Sequence, residues 1–381
     1  MTAMIPLCLP SVGPGEEEAV IAAIRSGWIA PMGPQLEAFE ARLAELTDRP
    51  SVVAVSSGTA ALHLALLAAG VGEGDTVAVS TLTFAATANA VAYTGAQSLF
   101  IDCDDTGLMS ADLLAQALAN ADRAGHPITA IIVVDLYGRP ADYPRICALA
   151  KRHGAKVIAD AAESLGAELD GRPAGSFGDF AALSFNGNKI VTASSGGAVL
   201  CRDPESADQV RYLATQARQP VLHYEHTDVG FNYRLSNILA ALGLAQLARL
   251  PEILVVKRAH HLAYQQMADE VEGIALLDAA DGNCWLSILR IDPGARLSAT
   301  ELGEQLLREG IETRPVFKPM HLQPVNAGCS LDYISGRAQE FYATGLALPS
   351  SVDLRESERS QVIAAVRRLM TSVLPSTPEV V

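Results

Sequence analysis

The sequence predicts an α/β fold, a mainly parallel sheet with helices on both faces, followed by a smaller α+β unit. Three observations carry this expectation. Short apolar runs alternate with helical stretches from residue 52 to residue 201, as in strands joined by crossover helices. The run 128–134 is apolar almost throughout, which suits a strand covered on both faces. Beyond Pro251 a charged helix leads into short strands and helices without that alternation. The expected division is therefore 1–250 for the large unit, 251–375 for the small one and 376–381 for a flexible tail.

Composition agrees with this picture. With 49% hydrophobic and 19% charged residues, the 381-residue chain is well buried and long enough for two or three units of core. A net charge of −15 argues against nucleic acid or an anionic membrane as the main partner. It leaves room for a phosphorylated small molecule, which needs only a locally positive pocket. Cys8, Cys103, Cys147, Cys201, Cys284 and Cys329 form no CxxC pair and match no zinc spacing, so neither metal nor disulfide framework is expected. The first residues lack a basic region before an apolar core, and no apolar run is expected to span a membrane. The expectation is a soluble, cytoplasmic protein.

The elements follow in order. Residues 15–26 read as a helix whose first turn carries Glu16, Glu17 and Glu18, favourable for the helix dipole. An extended Gly/Pro segment, 27–34, bears Trp28, and helical periodicity returns over 34–46. The strand 52–55 runs into Ser56-Ser-Gly-Thr59 and a helix from Ala60. Small and hydroxyl residues at such a junction make a phosphate cradle, or simply an N-cap. His63 lies within that helix's apolar pattern and reads as structural. The strand 76–79 leads to Phe84 at the start of a helix, close to a strand's carboxyl end where ligands gather in α/β sheets. A core role is the alternative for Phe84. Strand 98–101 and helix 110–120 come next. Strand 128–134 ends in Asp135-Leu-Tyr-Gly138, and helix 144–153 leads to strand 156–159. Asp160 then sits at a strand tip, as a ligand-facing carboxylate or as a helix cap.

Next, the apolar run 181–183 stops at Ser184-Phe-Asn-Gly-Asn-Lys189, and Gly196-Gly197 opens a further strand, 198–201. A lysine between two buried strands either snorkels to solvent or is a partly desolvated Schiff-base amine. After helix 204–215, the polar loop 216–226 carries Arg218, His223 and His226, and an apolar helix covers 238–250. The small unit should hold a helix at 257–270, strands near 283–291 and 312–315, and helices near 300–309 and 356–371.

The separate signals share one chemistry. A phosphate cradle, an aromatic face, a strand-tip carboxylate and a lysine are the parts pyridoxal phosphate requires for its phosphate, ring, pyridine nitrogen and aldehyde. No GxGxxG opens the first strand–helix turn, which disfavours a dinucleotide enzyme.

On Ser56-Ser-Gly-Thr-Ala-Ala-Leu62, Thr83-Phe84, Asp160-Ala-Ala-Glu-Ser164, Ser184-Phe-Asn-Gly-Asn-Lys189, Gly196-Gly197 and Gly230-Phe-Asn-Tyr-Arg-Leu-Ser236, the chain resembles a known family. These are the DegT/StrS-type nucleotide-sugar aminotransferases of the fold type I, aspartate aminotransferase-like superfamily. The resemblance runs over essentially the whole chain. It implies a seven-stranded-type large sheet and a small C-terminal α+β domain. Lys189 would carry the cofactor and shuttle a proton, Asp160 would pair with the pyridinium nitrogen, and Phe84 would stack on the ring. Gly58, Thr59 and Ser184 would hold the phosphate, with Asn232 from the other subunit of a homodimer sharing its active sites. Many members have Gln or His at the position of Glu163, near the cofactor's phenolic oxygen. A carboxylate there must be protonated or offset by a cation. A lysine at 189 disfavours the family's dehydratase branch, which lacks it.

The segments 215–226, 186–188, 283–286 and 311–321 look closest to 4-aminotransferases acting on UDP-4-keto-6-deoxy-N-acetylhexosamine in bacillosamine-type pathways. The resemblance implies L-glutamate as amino donor. Trp28, Asn188, Arg218, His223, His226, Arg314, Phe317 and His321 are the candidate substrate contacts, with Lys318 as a further cation. The alternatives are a GDP-linked 4-keto-6-deoxymannose, a 3-keto dTDP-sugar, or a regulatory protein that binds pyridoxal phosphate without turnover.

Overall fold

The computed structural model describes residues 4–279 and 281–371; the tail expected at 376–381 lies outside them. Helices α1 (Pro14–Ser26) and α2 (Pro34–Thr47) precede β1 (Ser51–Val55) and α3 (Gly58–Ala68). Then come β2 (Thr76–Ser80), α4 (Ala85–Tyr93), β3 (Gln97–Ile101), α5 (Ala111–Ala124), β4 (Ala130–Val134), α6 (Tyr143–His153) and β5 (Lys156–Asp160). A hairpin of β6 (Glu168–Leu169) and β7 (Arg172–Pro173) leads to β8 (Phe180–Ser184), β9 (Gly197–Cys201) and α7 (Pro204–Ala214).

Seven of these strands form one sheet in the order β1-β9-β8-β5-β4-β2-β3. The neighbours from β8 to β3 are parallel, and β9 runs antiparallel to both β8 and β1. All five residues of β4 are buried, and most are β-branched, so the strand suits the middle of a sheet covered on both faces. Helix α3 is buried continuously from Ala60 to Leu66, which explains why its sequence is apolar all round. The carboxyl ends of the parallel strands lie along one edge of the sheet. They bring Ser80, Val134, Asp160 and Ser184 to that edge.

The junction with the second unit differs from expectation. A single helix, α8 (Asn237–Glu270), runs through Pro251, where two helices and a unit boundary are expected. Proline removes one backbone donor and costs a helix interior about 3 kcal/mol. Leu247, Leu250 and Ile253 are buried on both sides of it, and that packing keeps the helix continuous. Over its most apolar 18 residues α8 has a mean hydropathy of 1.6 and so the length and apolarity of a membrane span, contrary to expectation. Helices α1 and α2 pack along it, which gives that apolar surface a place in the core.

The small unit contains β10 (Ile274–Leu276), β11 (Ser287–Ile291), α9 (Ala299–Arg308), β12 (Arg314–Pro315), α10 (Arg337–Thr344), β13 (Gly345–Leu348) and α11 (Glu356–Thr371). Its antiparallel sheet has the order β10-β11-β13-β12. The chain start also pairs with this unit. Ile5 bridges Ile311, and Ser350 donates from its amide to the Leu7 carbonyl at 2.7 Å. Residues 7–9 thereby reach the carboxyl edge of the large sheet.

Candidate active site

The turn between β1 and α3 opens the site. Ser57 caps the helix, its Oγ accepting from the Ala60 amide at 3.0 Å. Gly58 and Thr59 therefore begin the helix with amides that no carbonyl of the preceding turn can reach. Strand β9 presses against this turn. A Cβ on Gly197 would lie 2.7 Å from the Gly58 amide nitrogen and closer still to the Ser57 carbonyl. A Cβ on Gly58 would meet the Ser184 Cβ at 2.9 Å. Glycine at both positions lets three strands' ends close into a concave anion cradle.

Asp160 ends β5 and is 6% exposed. Its Oδ2 accepts from Thr87 Oγ1 at 2.7 Å, and its Oδ1 accepts from the Ala162 amide at 3.3 Å. Burial raises its pKa, against the opposing pull of Thr87 and Lys189. Glu163 lies on the turn that follows. Its Oε2 accepts from the Tyr137 amide at 2.8 Å, and its Oε1 lies 3.3 Å from Lys189 Nζ. Burial also raises the Glu163 pKa, with the Lys189 ammonium as the main opposing influence. Behind this turn, Asp135 accepts from Ser164 Oγ at 2.6 Å and Tyr143 OH at 2.8 Å, and burial pushes its carboxyl up to about 7.

Lys189 projects from the loop after β8 into a cavity of about 530 Å³. Gly58, Thr59, Phe84, Asp160, Glu163 and Ser184 line the same cavity, and so do Asn188, Arg314 and Phe317. Phe84 is 60% exposed, which rules out the core role, and its ring lies 5.9 Å from that of Phe317. Phe317 in turn stacks on Tyr137 at 5.1 Å. Arg314 comes from the small unit and pairs with Glu312 at 2.8 Å. Among the described residues lining the cavity, Arg314 and Lys189 are the cationic ones.

The other expected contacts are not brought to this cavity. Arg218 and Asn232 line a second cavity together with Met32 and Arg234. Arg218 and His226 bridge each other in an exposed excursion of the chain, and neither lines the cavity that holds Lys189. In that excursion His223 pairs with Glu225 at 3.3 Å, and His226 Nδ1 lies 2.8 Å from the Gln216 carbonyl. Trp28 is half exposed beside α8, its carbonyl accepting from Asn237 Nδ2 at 2.9 Å. His321 is buried with Nδ1 2.6 Å from Thr81 Oγ1, a contact that turns the imidazole into the core. Lys318 is likewise absent from the lining residues.

A family model, the DegT/DnrJ/EryC1/StrS aminotransferase family, matches residues 10–367. The chain belongs to this family. It is 40% identical over 376 residues, 97% of this chain and 96% of the relative, to EpsN of Bacillus subtilis, named as a candidate pyridoxal phosphate-dependent aminotransferase. It is 35% identical over 371 residues to GDP-perosamine synthase of Caulobacter vibrioides, covering 96% of this chain and 98% of that one. The pyridoxal phosphate form of Spr1654 from Streptococcus pneumoniae, named as a candidate sugar aminotransferase, superposes with a TM-score of 0.89 at 26% identity, covering 96% and 98% of the two chains. This family member is a sugar aminotransferase of fold type I, and its cofactor is pyridoxal phosphate.

The residues present fit that cofactor. The Gly58–Thr59 amides and the Ser184 hydroxyl suit a phosphate, and Asp160 offers a carboxylate whose burial rewards a cationic partner. Lys189 offers the amine, and Phe84 a free ring face. Gly197→Ala is expected to push the Ser57–Gly58 backbone out of the cradle and weaken cofactor binding roughly tenfold. Equilibrium dialysis against pyridoxal phosphate measures this.

Tyr137, Thr87 and Trp285 also belong to the site, and sequence reasoning does not select them. Tyr137 leaves a strand tip in left-handed backbone, φ 56°. The strand-tip argument that singles out Asp160 applies equally there. Thr87 lies one helical turn after Thr83, whose Oγ1 is 2.8 Å away. Trp285 arrives from the small unit, within the segment 283–286 that carries part of the resemblance, but with no role assigned to it there.

Proposed function

We propose that the protein moves the amino group of L-glutamate to the C4 keto group of a UDP-4-keto-6-deoxy-N-acetylhexosamine, giving a UDP-4-amino sugar. Pyridoxal phosphate supplies, when bound, an aldehyde that carries the amino group and a ring that takes up electrons from the broken C–H bond. The protein does the rest. Lys189 Nζ takes the proton from glutamate Cα in the first half-reaction and delivers one to the sugar C4 in the second. Asp160 holds a proton on the ring nitrogen. The observation that carries the reading is the convergence of Lys189, Asp160 and Arg314 on one cavity. Arg314 meets the glutamate carboxylate first and the nucleotide's diphosphate second, since both are anions entering the same mouth.

The substrate class rests on the likeness of 186–188, 283–286 and 311–321 to the UDP-sugar subgroup. The second reading is a GDP-linked 4-keto-6-deoxymannose, favoured by the 35% identity to GDP-perosamine synthase over 96% of this chain. A panel of UDP-, GDP- and dTDP-linked ketosugars with L-glutamate, followed through 2-oxoglutarate release, separates them. The UDP-sugar is expected to lead in kcat/KM by at least about tenfold. A GDP-sugar in that place overturns the assignment.

The active enzyme is a homodimer in this reading. Leu222, Tyr224 and Val229 stand almost fully exposed on the excursion that carries Arg218, His223 and His226, an apolar surface suited to a second copy. Docked there, Asn232 of the partner subunit would reach the phosphate cradle.

A further inference from the structure

Two side chains hold the Lys189 amine, one by charge and one by a ring face. Glu163 Oε1 lies 3.3 Å from Nζ, and Nζ lies over the Trp285 ring, 4.2 Å from its centroid. Both partners are fixed by the same asparagine. Asn283 Nδ2 donates to the Glu163 carbonyl at 2.7 Å, and Asn283 Oδ1 accepts from the Trp285 amide at 2.9 Å. The indole edge then reaches the lysine's own loop, Nε1 donating to the Asn188 carbonyl at 2.6 Å. From the opposite side the buried Lys257 ammonium donates to the Trp285 carbonyl at 3.0 Å and to the Ser350 carbonyl. Trp285 is 2% exposed, and its ring stacks against Tyr137 with centroids 6.3 Å apart.

We propose that Trp285, together with Glu163, is the seat of the Lys189 amine whenever that amine is not bonded to the cofactor. The proposal rests on the reading of Lys189 as the Schiff-base amine. Trp285 is a positioning residue: its edge grips the loop at Asn188 and its face holds the ammonium. The need for such a seat follows from the reaction's shape. The amine would be released in the first half-reaction and taken back only at the end of the second, and a lysine side chain has several rotatable bonds to lose itself in. A ring face attracts the ammonium without directional hydrogen bonds. The amine can therefore leave toward the substrate carbon and return without breaking a rigid contact. Asn283 makes the seat a shared structure, because the same amide group sets the ring and the turn that carries the carboxylate.

The test uses the full-length protein freed of cofactor, with Lys189 labelled by an amine-directed acylating reagent and read by peptide mass spectrometry. Removing the ring face leaves the amine more accessible. Trp285→Leu is expected to raise the Lys189 labelling rate about fivefold, and Trp285→Phe, which keeps a face, to stay within about twofold of the original. Equal rates in all three proteins overturn the proposal. A second measurement holds if Trp285→Leu does not fold. The chain has two tryptophans, so Trp28→Phe leaves Trp285 as the sole indole. In that background Lys189→Met is expected to change the emission of the cofactor-free protein, because the charge over the ring is gone. An unchanged spectrum overturns the seat. Neither measurement involves a sugar, so failure of the nucleotide-sugar panel leaves both results standing.

Discussion

Lys189→Ala is expected to fold and to lose at least about 10⁴-fold in turnover, because one side chain supplies both the covalent anchor and the moving proton. Glu163 explains why the loss should not be masked by a substitute base. It is 6% exposed, and its Oε1 faces Lys189 Nζ at 3.3 Å. Without the ammonium the largest influence opposing burial is gone and the Glu163 pKa is pushed further up, which disfavours the carboxylate form that a substitute base needs. Lys189→Arg separates the two roles. Guanidinium restores the ion pair with Glu163 but cannot anchor the cofactor or accept the proton, so its turnover should match that of the alanine variant while its stability stays near the original. Steady-state release of 2-oxoglutarate measures turnover, and the visible absorbance of the reconstituted protein reports the anchor. Turnover at the original rate in either variant would sink the assignment of Lys189.

The large sheet and the heart of the site are legible in the sequence for a common reason. Each parallel strand is an apolar run, and each run ends in polar residues where the fold opens an edge to ligands. That rule marks Ser57 to Thr59 and Asp160 as candidates with a capping role as the alternative, and the resemblance adds Ser184. Lys189 is found because a charge between buried strands is costly without a purpose. What the sequence hides is long-range. The polar loop 216–226 has the composition of a binding loop, yet the fold carries it away from Lys189. His321 has the chemistry of a ligand, but Thr81, remote in sequence, turns it into the core. Pro251 marks a boundary by local rules, while tertiary packing of Leu247, Leu250 and Ile253 carries the helix through it. Trp285 enters the site from another unit, and the resemblance that covers 283–286 assigns it no role.

Asp160→Asn is expected to lower kcat about 10²- to 10³-fold while leaving the cofactor bound, the size associated with loss of one preorganised electrostatic partner. The local geometry makes this substitution a clean probe. Thr87 Oγ1 donates to Asp160 Oδ2 at 2.7 Å, and an asparagine oxygen accepts the same bond. Nothing large has to move, since the two side chains have nearly the same shape. What disappears is the negative charge that, in the proposed function, would keep a proton on the ring nitrogen. Burial already disfavours that charge in the cofactor-free protein, so removing it should leave the thermal midpoint unchanged or higher. A structural role for Asp160 predicts the reverse pattern, with a lower midpoint and weakened cofactor binding at similar kcat. Glu163→Gln is the matched control. It keeps an acceptor for the Tyr137 amide, which now lies 2.8 Å from Glu163 Oε2, and removes a charge one turn away. It should therefore cost kcat less than about tenfold, because that carboxylate neutralises the amine and does not face the ring nitrogen. Equal losses in the two variants would mean that the carboxylates act only through the field they place on Lys189. A loss confined to Asp160→Asn assigns the ring nitrogen to the strand tip.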